Sequence, residues 1–286
     1  MWTIGSLGIT ASALVGVLIL DFIIQWVAWV VAAALQTDKF YDLLGSSTFI
    51  ALSIASLVYA KYYYARHITV TVLVCIWGLR LGFFLVVRVL KTKGDSRFEE
   101  VKKQPVKYWV YWTFQAVWVF LTLLPVTVLN ATAANPGLWA SDIIGGVLWA
   151  VGFYCESVAD AQKFLFKNNP ANKGRFISTG LWRYSRYPNY FGEMCMWWGV
   201  WLICIPAFDH QRGYYATIVG PLFVMMLLLG VSGVPIQEKQ AKERWGQDPS
   251  YQAYRRRTWL LVPLPKFGQQ RAGGSQQMTT PINTSA

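Results

Sequence analysis

Residues 175–202 read RFISTGLWRYSRYPNYFGEMCMWWGVWL, and the change of character inside this run decides the fold. Its first half is basic and aromatic, Ser178–Thr179–Gly180 reads as a turn, and from Tyr190 onward the chain is apolar enough to enter a bilayer. Pro188 suits a first helical turn, where its missing N–H costs nothing and its fixed φ helps. A helix is therefore expected to begin around Tyr187–Asn189. Arg183 and Arg186 stand just before that start, where free backbone N–H groups already favour an anion such as a phosphate. A positive flank with an aromatic belt accounts for Arg183, Arg186, Trp182 and Trp198. It does not account for Asn189, nor for Glu193 about one turn into the membrane helix. Arg186, Tyr190, Glu193 and Trp197 share one helix face, and Arg186 is the expected partner of the acid.

The rest of the chain agrees with a membrane reading. Of 286 residues, 55% are apolar and 14% charged, against roughly 25% charged in an average soluble domain. Mean hydropathy is +0.34 and there are fifteen tryptophans. Disorder, collagen and a coiled coil are excluded, leaving an all-α polytopic integral membrane protein. Seven spans are expected: about Ile4 to Leu35, then near Phe49–Tyr63, Thr69–Val89, Tyr108–Leu129, Asp142–Ala159, Tyr190–Ala207 and Tyr214–Val234. The first lacks a basic n-region and a cleavage site, so it is not a signal peptide; its Asp21 must face protein or the interface. The net charge of +12 would suggest nucleic acid in a soluble protein; here the basic residues flank apolar runs, so no nucleic acid is expected. Segments 91–107, 161–189 and the tail after Gln237 are basic and the intervening loops are not. This places the C-terminus in the cytosol, with Lys61 and Arg66 as the one conflict. Cys75, Cys155, Cys195 and Cys204 sit in apolar stretches without C-x-x-C spacing, and His67 and His210 are isolated, so neither a disulfide framework nor a metal site is expected. Residues 1–35 form an N-terminal helix, 36–267 the main membrane domain, and 268–286 a polar tail expected to be disordered.

Three further stretches carry polar groups at membrane edges. In the fifth span, Glu156, Asp160, Lys163 and Lys167 fall at i, i+4, i+7 and i+11, one stripe on a helix. The stripe fits a polar helix end, or a pocket wall whose acids accept hydrogens from a bound polar cofactor. Residues 237–267 contain an extension of the last helix to Trp245, a stop at Gly246–Asp248, then Tyr251, Tyr254 and Arg255–Arg257. They fit a lipid-binding polybasic patch as well as a lid with Arg257 on a phosphate. Arg80 lies near mid-span in the third helix, while Arg88 can snorkel; Asp38, Tyr41 and Asp42 open the second span at the same mouth.

GLWRYSRYPNYFGE (180–193), followed by EKQAKERWG (238–246), YQAYRRR (251–257) and LVP (261–263), resembles the C-terminal signature of the steroid 5-alpha-reductase-like membrane enzymes. WGLRLGFFLVVRVLKTKGDSRFEE (77–100) and Asp160 fit a branch of that group described only as a domain of unknown function. The resemblance covers roughly 36–267. It implies NADPH bound from the cytosolic side of the endoplasmic reticulum and a lipid or sterol substrate entering from the bilayer, reduced at a carbon–carbon double bond. It also implies that Asp160, Lys167, Arg186, Asn189, Tyr190, Glu193, Tyr254 and Arg257 line the cofactor cavity, with Arg183 beside them. Glu156 stands where the steroid reductases have an amide, and Tyr187 where they have a histidine. One departure is chemical. Those enzymes hold an enone oxygen with a tyrosine that is Trp77 here, and an indole N–H donates a hydrogen bond but delivers no proton. Arg80 and Glu156 are the candidate catalytic residues. The competing reading is an S-adenosylmethionine-dependent methyltransferase of the isoprenylcysteine carboxyl type, whose R-x-P-x-Y-x-G block and tail are similar to Arg186–Gly192 and to Glu238, Glu243, Gly246, Tyr251, Tyr254 and Pro263. A seven-span receptor or transporter is disfavoured by the absence of a repeat and by polar groups clustered at the cytosolic mouth.

Overall fold

The computed structural model describes residues 4–91 and 98–265. Seven helical stretches in it are long and apolar enough to cross a bilayer core of roughly 30 Å. They are α1 (Ile4–Ala34), α2 (Tyr41–Ala60), α3 (Ala65–Lys91), α4 (Pro105–Asn130), α5 (Ala140–Asn168), α6 (Pro188–Phe208) and the broken span Arg212–Trp245. The last comprises a 3-10 turn, α7 (Val219–Met226), a π turn (Leu227–Val231) and α8 (Val234–Trp245); α9 (Pro249–Arg257) follows. The chain is an all-α polytopic integral membrane protein. The expected polar tail and residues 92–97 of the basic 91–107 segment lie outside the described residues.

Two span boundaries differ from the sequence expectation, each for a tertiary reason. α2 starts at Tyr41 rather than near Phe49, because its polar opening is covered by protein: Asp42 pairs with Arg88 of α3, and the Gln115 amide of α4 donates to the Tyr41 carbonyl at 3.1 Å. Three of its hydroxyls donate back into their own helix, Ser46 to Leu43, Thr48 to Leu44 and Ser53 to Ile50, which satisfies those donors in an apolar setting. α5 continues past Ala159 to Asn168, because the charged stripe of its last turns faces α3 and the C-terminal segment. α6 begins with Pro188 at its first helical position, as expected.

Asp21, mid-way along α1, is wholly buried beside Gln25, which donates to the Thr48 hydroxyl and accepts from Gln115. Much of the rest of α1 is exposed apolar surface. Arg66 grips Asp142 through two 2.8 Å bonds and donates to the Pro136 and Gly137 carbonyls, so it is a neutralised clamp rather than a free loop charge. The core is aromatic, with the rings of Phe49, Trp77 and Trp197 meeting edge-to-face or tilted at 5.0 to 5.5 Å.

The tightest helix pair is α5 with α6. Gly145 and Gly152 of α5 face Gly199 and Gly192 of the antiparallel α6. A Cβ added at Gly192 would lie 2.5 Å from the Gly152 carbonyl oxygen, and one at Gly199 2.6 Å from that of Gly145. Glycine two turns apart on both partners brings the backbones together, the small-residue device by which helices associate where lipid gives no hydrophobic drive.

Candidate functional site

The closeness of α5 and α6 places the polar stripe of one helix against the polar start of the other. Deep in the bundle, the Arg80 guanidinium of α3 pairs with Glu156 and, at 2.8 Å, with Asp160. Asn189 of α6 donates to the other oxygen of Asp160 at 3.3 Å. Glu193, one turn further along α6, joins the same electrostatic neighbourhood as Glu156, Arg80 and Asp160. Glu156 and Asp160 thus share one guanidinium, and Glu156 is 5% exposed. Arg80 Nε, Glu156 Oε2 and Asn189 Oδ1 are buried with no hydrogen-bond partner among the described residues, so the network is only partly satisfied.

Toward the end of the bundle that carries the C-terminal segment, the stripe turns basic. Lys163, Lys167, Arg175, Arg186 and Arg244 line a hollow of about 110 Å³, with Trp182, Tyr187, Trp245, Tyr251 and Tyr254 among the rings that complete it. Arg186 is paired with Glu238 of α8 at 2.7 Å. Lys163, Lys167, Arg175 and Arg244 make no ion pair among the described residues, and Lys167 is set against Arg244 and Arg88, cation facing cation. Lys163 sits 4.8 Å over the Trp182 ring, whose indole N–H donates to the Ala159 carbonyl and fixes the turn 180–183 on α5. Gly180 is needed there, since its φ is +60° and a Cβ would strike the Gln162 amide, which accepts from Leu181 N–H.

The C-terminal segment is latched across this hollow. Glu238 accepts from Arg186, Arg255 and the Tyr187 hydroxyl, each at 2.7 Å, and the Tyr254 hydroxyl donates to the Trp182 carbonyl. Past α9, residues 259–261 lie beside 184–187: Arg186 N–H donates to Trp259 O, Tyr187 N–H to Leu260 O, and Trp259 N–H to Tyr184 O, with the Ser185 hydroxyl donating to Leu261 O. Burial first, then the bond to Glu238, pushes the Tyr187 phenol far above its ordinary value; burial also raises Tyr251 and Tyr254, so all three stay protonated.

Of the residues singled out from sequence, Arg80, Glu156, Asp160, Asn189 and Glu193 come together deep in the bundle, while Lys167, Arg186 and Tyr254 line the hollow. Tyr190 stacks on Tyr187 with centroids 5.5 Å apart. Arg183 and Arg257 are exposed and do not line the hollow. Glu193 is not the partner of Arg186: seven residues put it two turns deeper, at the level of Arg80, whereas Glu238 lies at the level of Arg186. Sequence reasoning missed Arg175, Arg244, Trp245 and the role of Glu238; Lys163 was already on the stripe. Trp77, 2% exposed, packs on Phe49 and Trp197, and its N–H has no hydrogen-bond partner among the described residues. A larger recess of about 490 Å³ at the opposite end, beside the Arg66–Asp142 clamp, is mostly apolar in its walls.

Comparison with known proteins places these features in a family. An uncharacterized protein of Schizosaccharomyces pombe is 23% identical over 282 residues, 86% of this chain and 78% of that one. A "Probable O-methyltransferase ustE" of Ustilaginoidea virens is 41% identical over 59 residues, 21% of this chain and 19% of its own length. No solved structure matches. The model of the family described as "Protein of unknown function (DUF1295)", related to the steroid 5-alpha-reductase-like and methyltransferase-like membrane proteins, matches residues 28–258, from the end of α1 through α9, and the chain belongs to that family.

Proposed function

We propose that the protein is an NADPH-dependent membrane oxidoreductase that reduces a carbon–carbon double bond of a steroid or another lipid. It would lie in the endoplasmic reticulum membrane with the basic hollow and C-terminus on the cytosolic side. The observation that carries the reading is the set of cations, Lys163, Lys167, Arg175 and Arg244, that face one hollow without an ion pair among the described residues. Cations that repel one another inside a partly desolvated space attract an anion to share, and NADPH brings both a pyrophosphate and a ribose phosphate. The aromatic wall suits an adenine or nicotinamide ring. In charge and chemistry the residues fit. In size, 110 Å³ is below the roughly 300–1,000 Å³ of a ligand pocket, so a dinucleotide requires the latched segment of α8 and α9 to lift.

NADPH supplies a hydride when bound. The chain's own part is to hold the phosphates at the hollow, to present the deep cluster to the reacting end, and to admit a flat apolar substrate from the surrounding lipid. Arg80, with a buried and unpartnered Nε–H, can donate to a substrate oxygen, and Glu156 offers an unpaired carboxylate oxygen for proton handling. Titration of the purified protein with NADPH, followed by nucleotide fluorescence, tests the reading. Saturable binding is expected, weakened about tenfold by Lys167→Ala or Arg244→Ala, the loss of one charge-assisted contact. Absence of saturable binding, or variants that bind as the wild type does, overturns it.

The similarity of 59 residues to a probable O-methyltransferase favours a second reading, transfer of a methyl group from S-adenosylmethionine. That cofactor has no phosphate. Competition by adenosine 2′,5′-bisphosphate therefore separates the two: displacement supports the nucleotide, and its failure alongside tight adenosylmethionine binding supports the methyl donor.

A further inference from the structure

We propose that the chain just past α9 is a membrane-surface anchor. Arg183 and Arg257 bind anionic phospholipid headgroups, Trp259, Leu260, Val262 and Leu264 lie in the interface, and lipid charge thereby helps to hold the C-terminal segment closed over the hollow. The segment has two sides. On the inner side Tyr251 and Tyr254 are buried against the hollow, and the main chain of 259–261 is bonded to 184–187. The outer side is exposed and apolar: Trp259 is 46% exposed, Leu260 36%, Val262 41% and Leu264 59%. Arg183 and Arg257 flank that patch, because Trp259 N–H donates to Tyr184 O. Both arginines are exposed, lie outside the hollow and make no ion pair among the described residues; Arg183 is set 6.0 Å over the Tyr184 ring.

Depth decides what such a surface meets. Trp139 and Asp142 mark one end of the span in α5, and a hydrocarbon core of roughly 30 Å takes about 20 helical residues from there. The other boundary therefore falls near Asp160. Asn189 bonds Asp160 at that level, so residues 184–187, just before α6, and the chain paired with them lie at the membrane edge. Tryptophan and aliphatic side chains exposed at that level enter the interface, and guanidinium groups beside them reach the headgroups. A large apolar patch facing water calls for a partner, and here the bilayer is the partner already in place. On the cytosolic side proposed above, the headgroups are partly anionic and supply the counter-charge for Arg183 and Arg257. These two arginines are distinct from the cations of the hollow, so the anchor stands whichever molecule the hollow binds.

The test is hydrogen exchange of the full-length protein, without nucleotide, in nanodiscs of phosphatidylcholine with and without phosphatidylserine. It is read at the amides of Arg186 and Trp259, which close the main-chain pairing. The wild type is expected to exchange there about 25-fold more slowly in the anionic discs, about fivefold for each arginine near a charged surface. The double variant Arg183→Gln with Arg257→Gln should exchange alike in both membranes, and in the neutral discs as the wild type does, which shows that it is folded. Salt at about 1 M, which screens charges beyond about 3 Å, should likewise erase the difference. Leu264→Gln is expected to speed exchange severalfold in both membranes, because it removes apolar contact and no charge. The proposal is overturned if the wild type exchanges equally in the two membranes, an outcome that needs no variant to fold. It is overturned as well if the lipid dependence survives the double variant or high salt, or if Leu264→Gln exchanges as the wild type does.

Discussion

Glu156 and Lys167 lie on the same face of α5, three turns apart, yet their surroundings are opposite. Around Glu156 the acids outnumber the cations, ion pairs are in place, and side chains from three membrane helices fix the geometry. Around Lys167 the cations outnumber the acids, several have no partner among the described residues, and α8 and α9 close the space. The difference follows depth. Far from water an ion survives only when paired, whereas at the rim water and headgroups keep an unpaired ammonium affordable. Depth therefore separates the part that must stay fixed from the part that, on the proposed reading, would receive a ligand.

The largest effect that would break this contrast is at Arg80. Arg80→Ala is expected to cost about 3–5 kcal/mol, read as a lowered unfolding temperature in detergent, because it strands buried carboxylates. Adding Glu156→Gln and Asp160→Asn to Arg80→Met should recover much of the loss; a single variant as stable as the wild type would mean that the cluster is not truly buried. Next is the glycine seam. Gly192→Ala places a methyl group against the Gly152 carbonyl and 2.9 Å from Glu156 Cβ, and should cost about 1–3 kcal/mol, while Gly146→Ala, with nothing within 4 Å, should be neutral. Equal effects of the two would remove the link between seam and cluster.

The most local effect is expected at the rim, in alkali. Because Tyr187, Tyr251 and Tyr254 hold their protons more tightly folded than unfolded, their contribution is fully present below the ordinary phenol value near pH 10. It is lost as pH rises above it, by up to about 1.4 kcal/mol per pH unit for each phenol. Limited proteolysis between pH 8 and 11.5 should show the segment after Trp245 loosening first, with the membrane helices intact. Uniform loss of all parts together would contradict the separation.

Much of the architecture was legible in the sequence because bilayer crossing depends on local composition: the seven apolar runs appear as seven spans. Their ends were less legible where a partner distant in the chain decides them, as Arg88 does for Asp42 at the start of α2. In the site, the helical period alone puts Glu156, Asp160, Lys163 and Lys167 in line. Depth, by contrast, is a tertiary property, so Arg186 looked like the mate of Glu193 until α8 brought Glu238 to its level. Arg175 and Arg244 reach the hollow from distant parts of the chain, one before α6 and one on α8, and no spacing rule joins them. Arg183 and Arg257 point away for a similar reason, since the roll of a short turn and of α9 is set by Gly180, Tyr254 and the paired main chains.

With main chain pressed on main chain at two levels, α5 and α6 behave as a single stiff spar. They have no side-chain cushion that could be compressed to let them part. On the proposed reading, any breathing large enough to load a nucleotide would happen elsewhere, by peeling the strap at 259–261 and swinging out α8 and α9, so its rate would be set by a few main-chain bonds and by the contacts of Glu238 and Tyr254.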